Sequence, residues 1–250
     1  MTHVSNPRGR VTLLPHLLPE ARTAFTGLGR RRPYAVGEAI LHEGDTAQEL
    51  VVLHEGVVKV TVRLDRDRES LVDIRIGEDV LGEGTAMGVG PRSATVTSCG
   101  AVCASLVPRA ELDSFLHDHP EVSMALNRVF SARLRRADRL RLELGRYPVQ
   151  VRLARVLVEL AETYGGPARP YGKPDPNTAR IDVCLSQPEL AALTACAPDT
   201  VHVALTRLRR SGIISTESQQ RTVVRDMARL REVALLRTPT ARRGRPARRR

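Results

Sequence analysis

The chain has 250 residues, 42% of them hydrophobic and 27% charged, which excludes global disorder and bounds the protein at one large domain or two ordinary ones. Aromatic residues are 3% with no Trp, so base stacking on aromatic platforms is excluded as the main mode of action. The net charge of +11 points to a polyanionic partner, yet seven arginines crowd the last fourteen residues, RTPTARRGRPARRR, and the remainder carries only +4.

Arg outnumbers Lys 37 to 2, as much a mark of GC-rich coding as of chemistry. The longest uncharged run, Ser93 to Val107, is too short and too polar to span a membrane. The opening residues contain no apolar run of secretory length, so the expected compartment is the cytoplasm, with no membrane partner. Cys99, Cys103, Cys184 and Cys196 are too few for a disulfide framework and form no CxxC; they read as small buried apolar residues.

Residues 1–30 form an irregular leader with one short helix at most, broken by Pro15 and Pro19. From Arg32 to Val107, β-rich runs (AILHEG, ELVVLHEG, VVKVTVRL, SLVDIRIG, SATVTS, AVCASLV) alternate with Gly and acidic turns, the pattern of a small antiparallel barrel or roll. Gly37, Gly44, Gly56 and Gly77 close these runs, where turns call for positive φ. A short helix, RAELDSFLHDH, follows Pro108. A long helix then runs from about Pro120 to Leu144, with Leu126, Phe130, Leu134, Ala137, Leu140 and Leu144 at three- and four-residue steps. Arginines 128, 133, 135, 136, 139 and 141 fill its polar faces. Pairing with a second copy would bury so narrow a stripe; packing on the chain's own barrel needs a wider one. Gly145 and Pro148 mark a hinge, VQVRLARVLVELAETYG is amphipathic, and GGPARPYGKPDPNTAR is a loop.

Residues 186–208 read SQPELAALTACAPDTVHVALTRL. Ser186 and Glu189 have capping-box spacing, and Pro198 and Asp199 suit the start of a second helix. Val201, Leu205 and Leu208 make that helix's inward face. The segment RRSGII and the strand–turn–strand IISTESQQRTVVRD complete a winged helix-turn-helix, which places its second helix in the major groove. Arg207, Arg209, Arg210 and Arg221 are candidates to neutralise phosphates. An ordinary helical hairpin with a solvated basic face fits the same residues. Upstream, Gly82-Glu83-Gly84 and Arg92-Ser93-Ala94 combine a Gly-rich backbone, a bidentate phosphate grip and a carboxylate suited to ribose hydroxyls. A surface Arg–Glu ion pair is the plain alternative.

The order of these parts resembles the CRP/FNR superfamily over about residues 30–226. HEGD (His42 to Asp45), EGVVKV, IGEDVLGE, RSATV and the helix-turn-helix carry the resemblance. It implies an α+β fold: an N-terminal β-roll of the cyclic-nucleotide-binding, jelly-roll kind, a long dimerisation helix and a C-terminal winged helix-turn-helix. The implied divisions are a leader at 1–30, the roll at 31–119, the helix and hinge at 120–146, the DNA-binding domain at 147–236 and a disordered basic tail at 237–250. It also implies a homodimer on a palindromic operator, with RNA polymerase as partner for an activator.

By this resemblance Gly82 and Glu83 fall at ribose positions, Arg92 and Ser93 at phosphate positions, and Ala137 and Asp138 at the base. Ala137 cannot hydrogen-bond, Asp138 accepts only, and the loop between Glu83 and Arg92 is one residue shorter than in the cyclic-AMP receptor. The site is compatible with cyclic AMP, with another cyclic nucleotide and with no ligand. The expected DNA-binding residues are Ser186, Asp199, Thr200, His202, Val203, Thr206, Arg207 and Arg209. The family's R-E-T-V-x-R is here Pro198-Asp199-Thr200-Val201-His202-Val203, without either base-reading Arg. Each missing bidentate contact removes about 1–3 kcal/mol of discrimination, so a different operator is expected. The turn's usual Gly is Ala195, which implies mild strain. Arg243-Gly244-Arg245-Pro246 resembles an AT-hook core, though a nonspecific basic tail is the simpler reading.

Two other functions fit parts of the sequence. The same scaffold could act constitutively, or through oxidation of Cys196, without a nucleotide. No Cys precedes Cys99, which argues against an N-terminal iron–sulfur cluster. An enzyme built on His117-Asp118-His119 and Glu121 lacks a further ligand set, and the two His do not share a helix face. No catalytic or metal-binding residue is therefore expected.

Overall fold

The computed structural model describes residues 11–65, 68–168, 175–217 and 221–236. The expected basic tail, 237–250, and its AT-hook-like core lie outside the described residues, as does the start of the leader. Leu14–His16 forms a 3-10 turn and α1 (Pro19–Thr26) the leader's helix, with Pro at its first position.

Eight strands follow: β1 (Arg30–Tyr34), β2 (Ala39–Leu41), β3 (Glu49–Glu55), β4 (Val57–Asp65), β5 (Arg68–Ile76), β6 (Asp79–Leu81), β7 (Thr95–Ser98) and β8 (Val102–Pro108). They make two antiparallel sheets, ordered β1-β8-β3-β6 and β2-β7-β4-β5. Two of these strands, β1 and β6, fall outside the β-rich runs, because RRRPY has one buried residue and DVL only three residues. The apolar run of β3 serves both of its faces. Val51 and Leu53 join Tyr34, Val58, Val96 and Ala104 in one core, while Leu50 and Val52 join Leu13, Phe25, Leu112 and Val129 in another. A strand covered on both sides loses the polar alternation of a half-exposed one.

Gly37, Gly44 and Gly56 take positive φ as expected, but at the fourth turn the positive φ falls on Glu78 (73°) and not on Gly77. Gly77 answers a different constraint: a Cβ there would lie 2.6 Å from the His54 carbonyl oxygen.

Helix α2 (Glu83–Ala86) is a single turn after β6, and α3 (Arg109–Asp118) leads into α4 (Pro120–Arg146). The first half of the long helix packs on the roll of its own chain, and the second half leaves large apolar side chains exposed. Val122, Ala125, Leu126 and Val129 are buried on the chain's own roll, whereas Leu134 is 64% exposed and Leu144 43%. The helix runs through Gly145. It stops at Tyr147, which is extended (φ −118°, ψ 139°) as the residue before a proline tends to be.

Then come α5 (Val149–Tyr164), β9 (Gly165–Pro167), β10 (Ala179–Ile181), α6 (Gln187–Thr194), α7 (Pro198–Arg210), β11 (Ile214–Thr216), β12 (Thr222–Val224) and α8 (Met227–Val233). The third sheet, β11-β12-β10-β9, is antiparallel and supplies the wing. Leu153, Leu157, Val201, Leu205, Leu208 and Leu230 form the core here, and Leu71 and Ile74 of β5 enter it. Tyr164 Oη donates to the Ile74 carbonyl at 2.8 Å, and Lys59 Nζ on β4 lies 2.6 Å from Glu189 Oε1 on α6. The winged helix-turn-helix is thus docked on the β4–β5 pair of its own chain.

Candidate effector pocket and DNA-reading surface

The strand β6 ends at Leu81, and Gly82 then takes a left-handed turn (φ 71°, ψ 17°) into α2. Only glycine fits: an added Cβ would lie 2.1 Å from Arg92 Nη1. Arg92, before β7, packs into that space and is 3% exposed. Its Nη1 donates to the Gly82 carbonyl and its Nη2 to the Glu49 carbonyl, both at 2.7 Å. Its buried Nε–H has no acceptor among the described residues. Burial pushes the Arg92 pKa down, opposed by the charges of Glu49, Asp45 and Glu83.

Gly82, Glu83, Arg92 and Ser93 together border one cavity of about 330 Å³, with Leu41, Val96 and Arg133. Arg133 is the member that sequence reasoning missed. Its Nη1 pairs with Glu83 Oε1, and its Nη2 bonds Asp79 Oδ1 at 2.8 Å and the Val80 carbonyl at 2.9 Å. Asp79 is buried, which raises its pKa; Arg133 and Arg75 oppose that shift. Nothing local marks Arg133 among the neighbouring arginines of α4. Ala137 and Asp138 do not line the cavity; both are exposed, and Asp138 Oδ1 meets Arg141 Nη2 at 3.1 Å. The pocket can offer an anion a buried guanidinium, and sugar hydroxyls a carboxylate already held by Arg133.

The second surface is built by α6 and α7. Ser186 caps α6: its Oγ accepts from the Glu189 N–H, and its own N–H donates to Glu189 Oε2 at 2.7 Å. Ala195 ends α6 in the left-handed region (φ 47°, ψ 59°), as the sequence implied. Val201, Ala204, Leu205 and Leu208 bury one face of α7. Asp199, Thr200, His202, Val203, Arg207 and Arg210 are exposed on the other, with Thr206 and Arg209 half-buried. Val203 is 48% exposed, a large apolar group on an otherwise polar face. His202 Nδ1 lies 3.3 Å from Gln187 Nε2, and Arg209 Nε donates to Thr216 Oγ1 on the wing at 3.1 Å. Among the described residues Arg207 has no ion pair and the buried Arg221 Nε–H has no acceptor.

Residues 31–119 match the cyclic nucleotide-binding domain, and residues 151–233 match the Crp-like helix-turn-helix domain. The CRP-like cAMP-activated global transcriptional regulator of Mycobacterium tuberculosis is 30% identical over 212 residues, covering 85% of this chain and 91% of that one. The chain belongs to the CRP/FNR family of transcriptional regulators. The transcriptional regulator LdrP of Thermus thermophilus is also 30% identical, over 207 residues, 80% of this chain and 95% of that one. A crystal structure of a CRP-family transcriptional regulator from Thermus thermophilus superposes with a TM-score of 0.66 at 25% identity, over 81% of this chain and 96% of that one.

As a CRP/FNR regulator the protein is a DNA-binding transcription factor and not an enzyme. His119, once a candidate for a catalytic or metal site, stacks on Phe115 with ring centroids 4.4 Å apart and lies 3.2 Å from Glu121. Among the described residues, no helix is long and apolar enough to cross a membrane.

Proposed function

We propose that this regulator is a homodimer whose roll binds a cyclic nucleotide and whose α7 helices read a palindromic operator. The observation that carries the effector reading is Arg92, buried beside Gly82 and Glu83 in one cavity, with an Nε–H that lacks an acceptor among the described residues. Gly82 and Glu83 take the ribose, and Arg92 and Ser93 the phosphate. With Ala137 and Asp138 outside the cavity lining, selection for adenine is weak, so cyclic AMP and cyclic GMP are both candidate effectors. The roll at 31–119, the helix and hinge at 120–146 and the DNA-binding domain at 147–236 divide the work.

Ser186, Asp199, Thr200, His202, Val203, Thr206, Arg207 and Arg209 face the operator, the arginines on phosphate and His202 and Thr206 on base edges. The exposed Leu134 and Leu144, on a helix whose first half is already buried, favour pairing of α4 with a second copy. The protein works in the cytoplasm, beside RNA polymerase where it activates.

Titration calorimetry with cyclic AMP and cyclic GMP tests the effector reading. Saturable binding at micromolar concentration, abolished by Arg92→Ala, is expected. Absence of binding to both overturns it in favour of the second reading, constitutive or thiol-controlled DNA binding. That alternative has one observation behind it: Glu83 and Arg92 already have partners within the chain. Sedimentation of Leu134→Glu tests the dimer; a wild-type chain that sediments as a monomer overturns it.

A further inference from the structure

We infer that Arg152 is the joint that sets the recognition helix against the long helix. Arg152 lies in the first turn of α5, and its guanidinium reaches the ends of two other helices. Nε donates to the Thr194 carbonyl at 3.0 Å and Nη2 to the Ala195 carbonyl at 3.3 Å. Nη1 donates to the Tyr147 carbonyl at 2.9 Å and the Leu144 carbonyl at 3.3 Å. Leu144 is in the last turn of α4, and Tyr147 is its C-cap. Thr194 is the last residue of α6, and Ala195 is its C-cap.

The last carbonyls of a helix have no partner within it, and the helix dipole puts partial negative charge there. One cation therefore closes the C-termini of α4 and α6 together. The consequence is mechanical. Ala195 leads through Cys196 and Ala197 directly into α7, so the turn cannot shift relative to the end of α4 without breaking bonds at this guanidinium. Arg155, on the same helix, also engages the end of α4. It pairs with Glu143 at 2.6 Å and stacks over the Tyr147 ring at 4.2 Å, but its Nε goes to the Ala234 carbonyl after α8 and not to the turn. The role calls for Arg in particular. Its rigid planar fork spans acceptors on both sides, whereas a Lys ammonium is a compact point charge on a flexible stem.

This inference rests on the reading that paired α7 helices meet two half-sites, for which Arg152 would be a positioning residue that touches no base. The test uses the full chain with Arg152→Lys and Arg152→Gln, each first checked for wild-type helical content. Amide hydrogen exchange is followed over residues 142–149 and 193–198, with α8 as control. Both segments are expected to exchange about tenfold faster together, with α8 unchanged. Binding is then measured on an operator selected from random DNA with the wild-type chain, and on versions with the half-sites moved one base pair closer or further apart. The variants are expected to keep single half-site affinity and lose most of the wild-type penalty for altered spacing. Exchange that rises in one segment only, or in neither, overturns the joint, as does an unchanged spacing penalty. A wild-type chain that selects no operator overturns the DNA reading instead, and the exchange measurement alone then decides for or against Arg152. If Arg152→Lys loses helical content, Arg152→Gln decides; if both do, exchange of the wild-type segments in rising urea decides, since a joint requires them to open together.

Discussion

Arg133 on the long helix holds Glu83 at the mouth of the roll's cavity and, with its other amino group, the buried Asp79 beneath it. The long helix and the proposed ribose carboxylate are therefore one electrostatic unit. If the roll takes a sugar as proposed, its hydroxyls would share the Glu83 carboxylate with Arg133, a side chain of α4.

Arg133→Ala leaves Asp79 buried with, among the described residues, Arg75 as its remaining cation, its Nε 3.8 Å away. Breaking a buried pair from one side destabilises by about 3–5 kcal/mol, and the residual Arg75 contact puts this case near the lower figure. Burial already raises the Asp79 pKa, so the penalty belongs to its charged form. It is full above the raised folded pKa and shrinks as pH falls through it. Urea unfolding of wild type and variant at neutral and acid pH should show the gap narrowing on acidification; a gap independent of pH would remove Asp79 from the explanation.

Glu189 is the reverse case. Burial raises its pKa, but the Lys59 ammonium and the Ser186 N–H outweigh burial, and the net shift is downward from 4.5. Its stabilisation is complete above the unfolded value and is lost as pH falls through the lower folded one. Wild type should therefore lose more stability than Glu189→Gln between neutral pH and about pH 3. Lys59→Met, which spares the capping box, should lessen the loss and weaken the docking of the helix-turn-helix on β4–β5, which Leu71, Ile74 and the Tyr164–Ile74 bond still hold. Differential scanning calorimetry across pH and small-angle scattering would register the two effects.

Ala195 adopts a left-handed backbone with a Cβ, at a cost of about 1–2 kcal/mol. Glycine removes that strain but loses more chain entropy on folding. Ala195→Gly should be a net gain of about 0.5–1 kcal/mol, read as a higher urea midpoint at unchanged slope. A lower midpoint would mean that the Ala195 methyl makes a packing contribution larger than its strain.

Arg207 is exposed on the reading face without an ion pair among the described residues. As a phosphate contact, its removal in Arg207→Ala should weaken binding evenly across operator sequences and lower the salt slope by about 1. Anisotropy titrations over a range of salt give the slope. Loss confined to one base position would move Arg207 from phosphate to base recognition.

Much of this was legible from sequence because it is local. The capping box of Ser186 and Glu189, the strained turn at Ala195, the break before Pro148 and the two faces of α7 each depend on residues within a turn or two of one another. The conjunction of Gly82-Glu83 with Arg92-Ser93 was legible too, since both pairs lie on the one short connection between β6 and β7. Where the reading depended on distance along the chain, it missed. Ala137 and Asp138 sit in register on the helix, yet it is Arg133 that reaches the cavity.

The amino-acid sequence by itself determined the order of parts, the family and the chemistry available to each site, because hydrophobic period, capping and turn residues act over a few positions. Only the tertiary structure decided which arginine of α4 meets Glu83 and which arginine of α5 closes two helix ends. It also decided which face of the helix-turn-helix lies against β4–β5. Similar cations recur along both helices, and nothing within one turn distinguishes them. The choice falls to buried Asp79 and to the orphan carbonyls at Tyr147 and Thr194, partners that exist in one place only after the chain has folded.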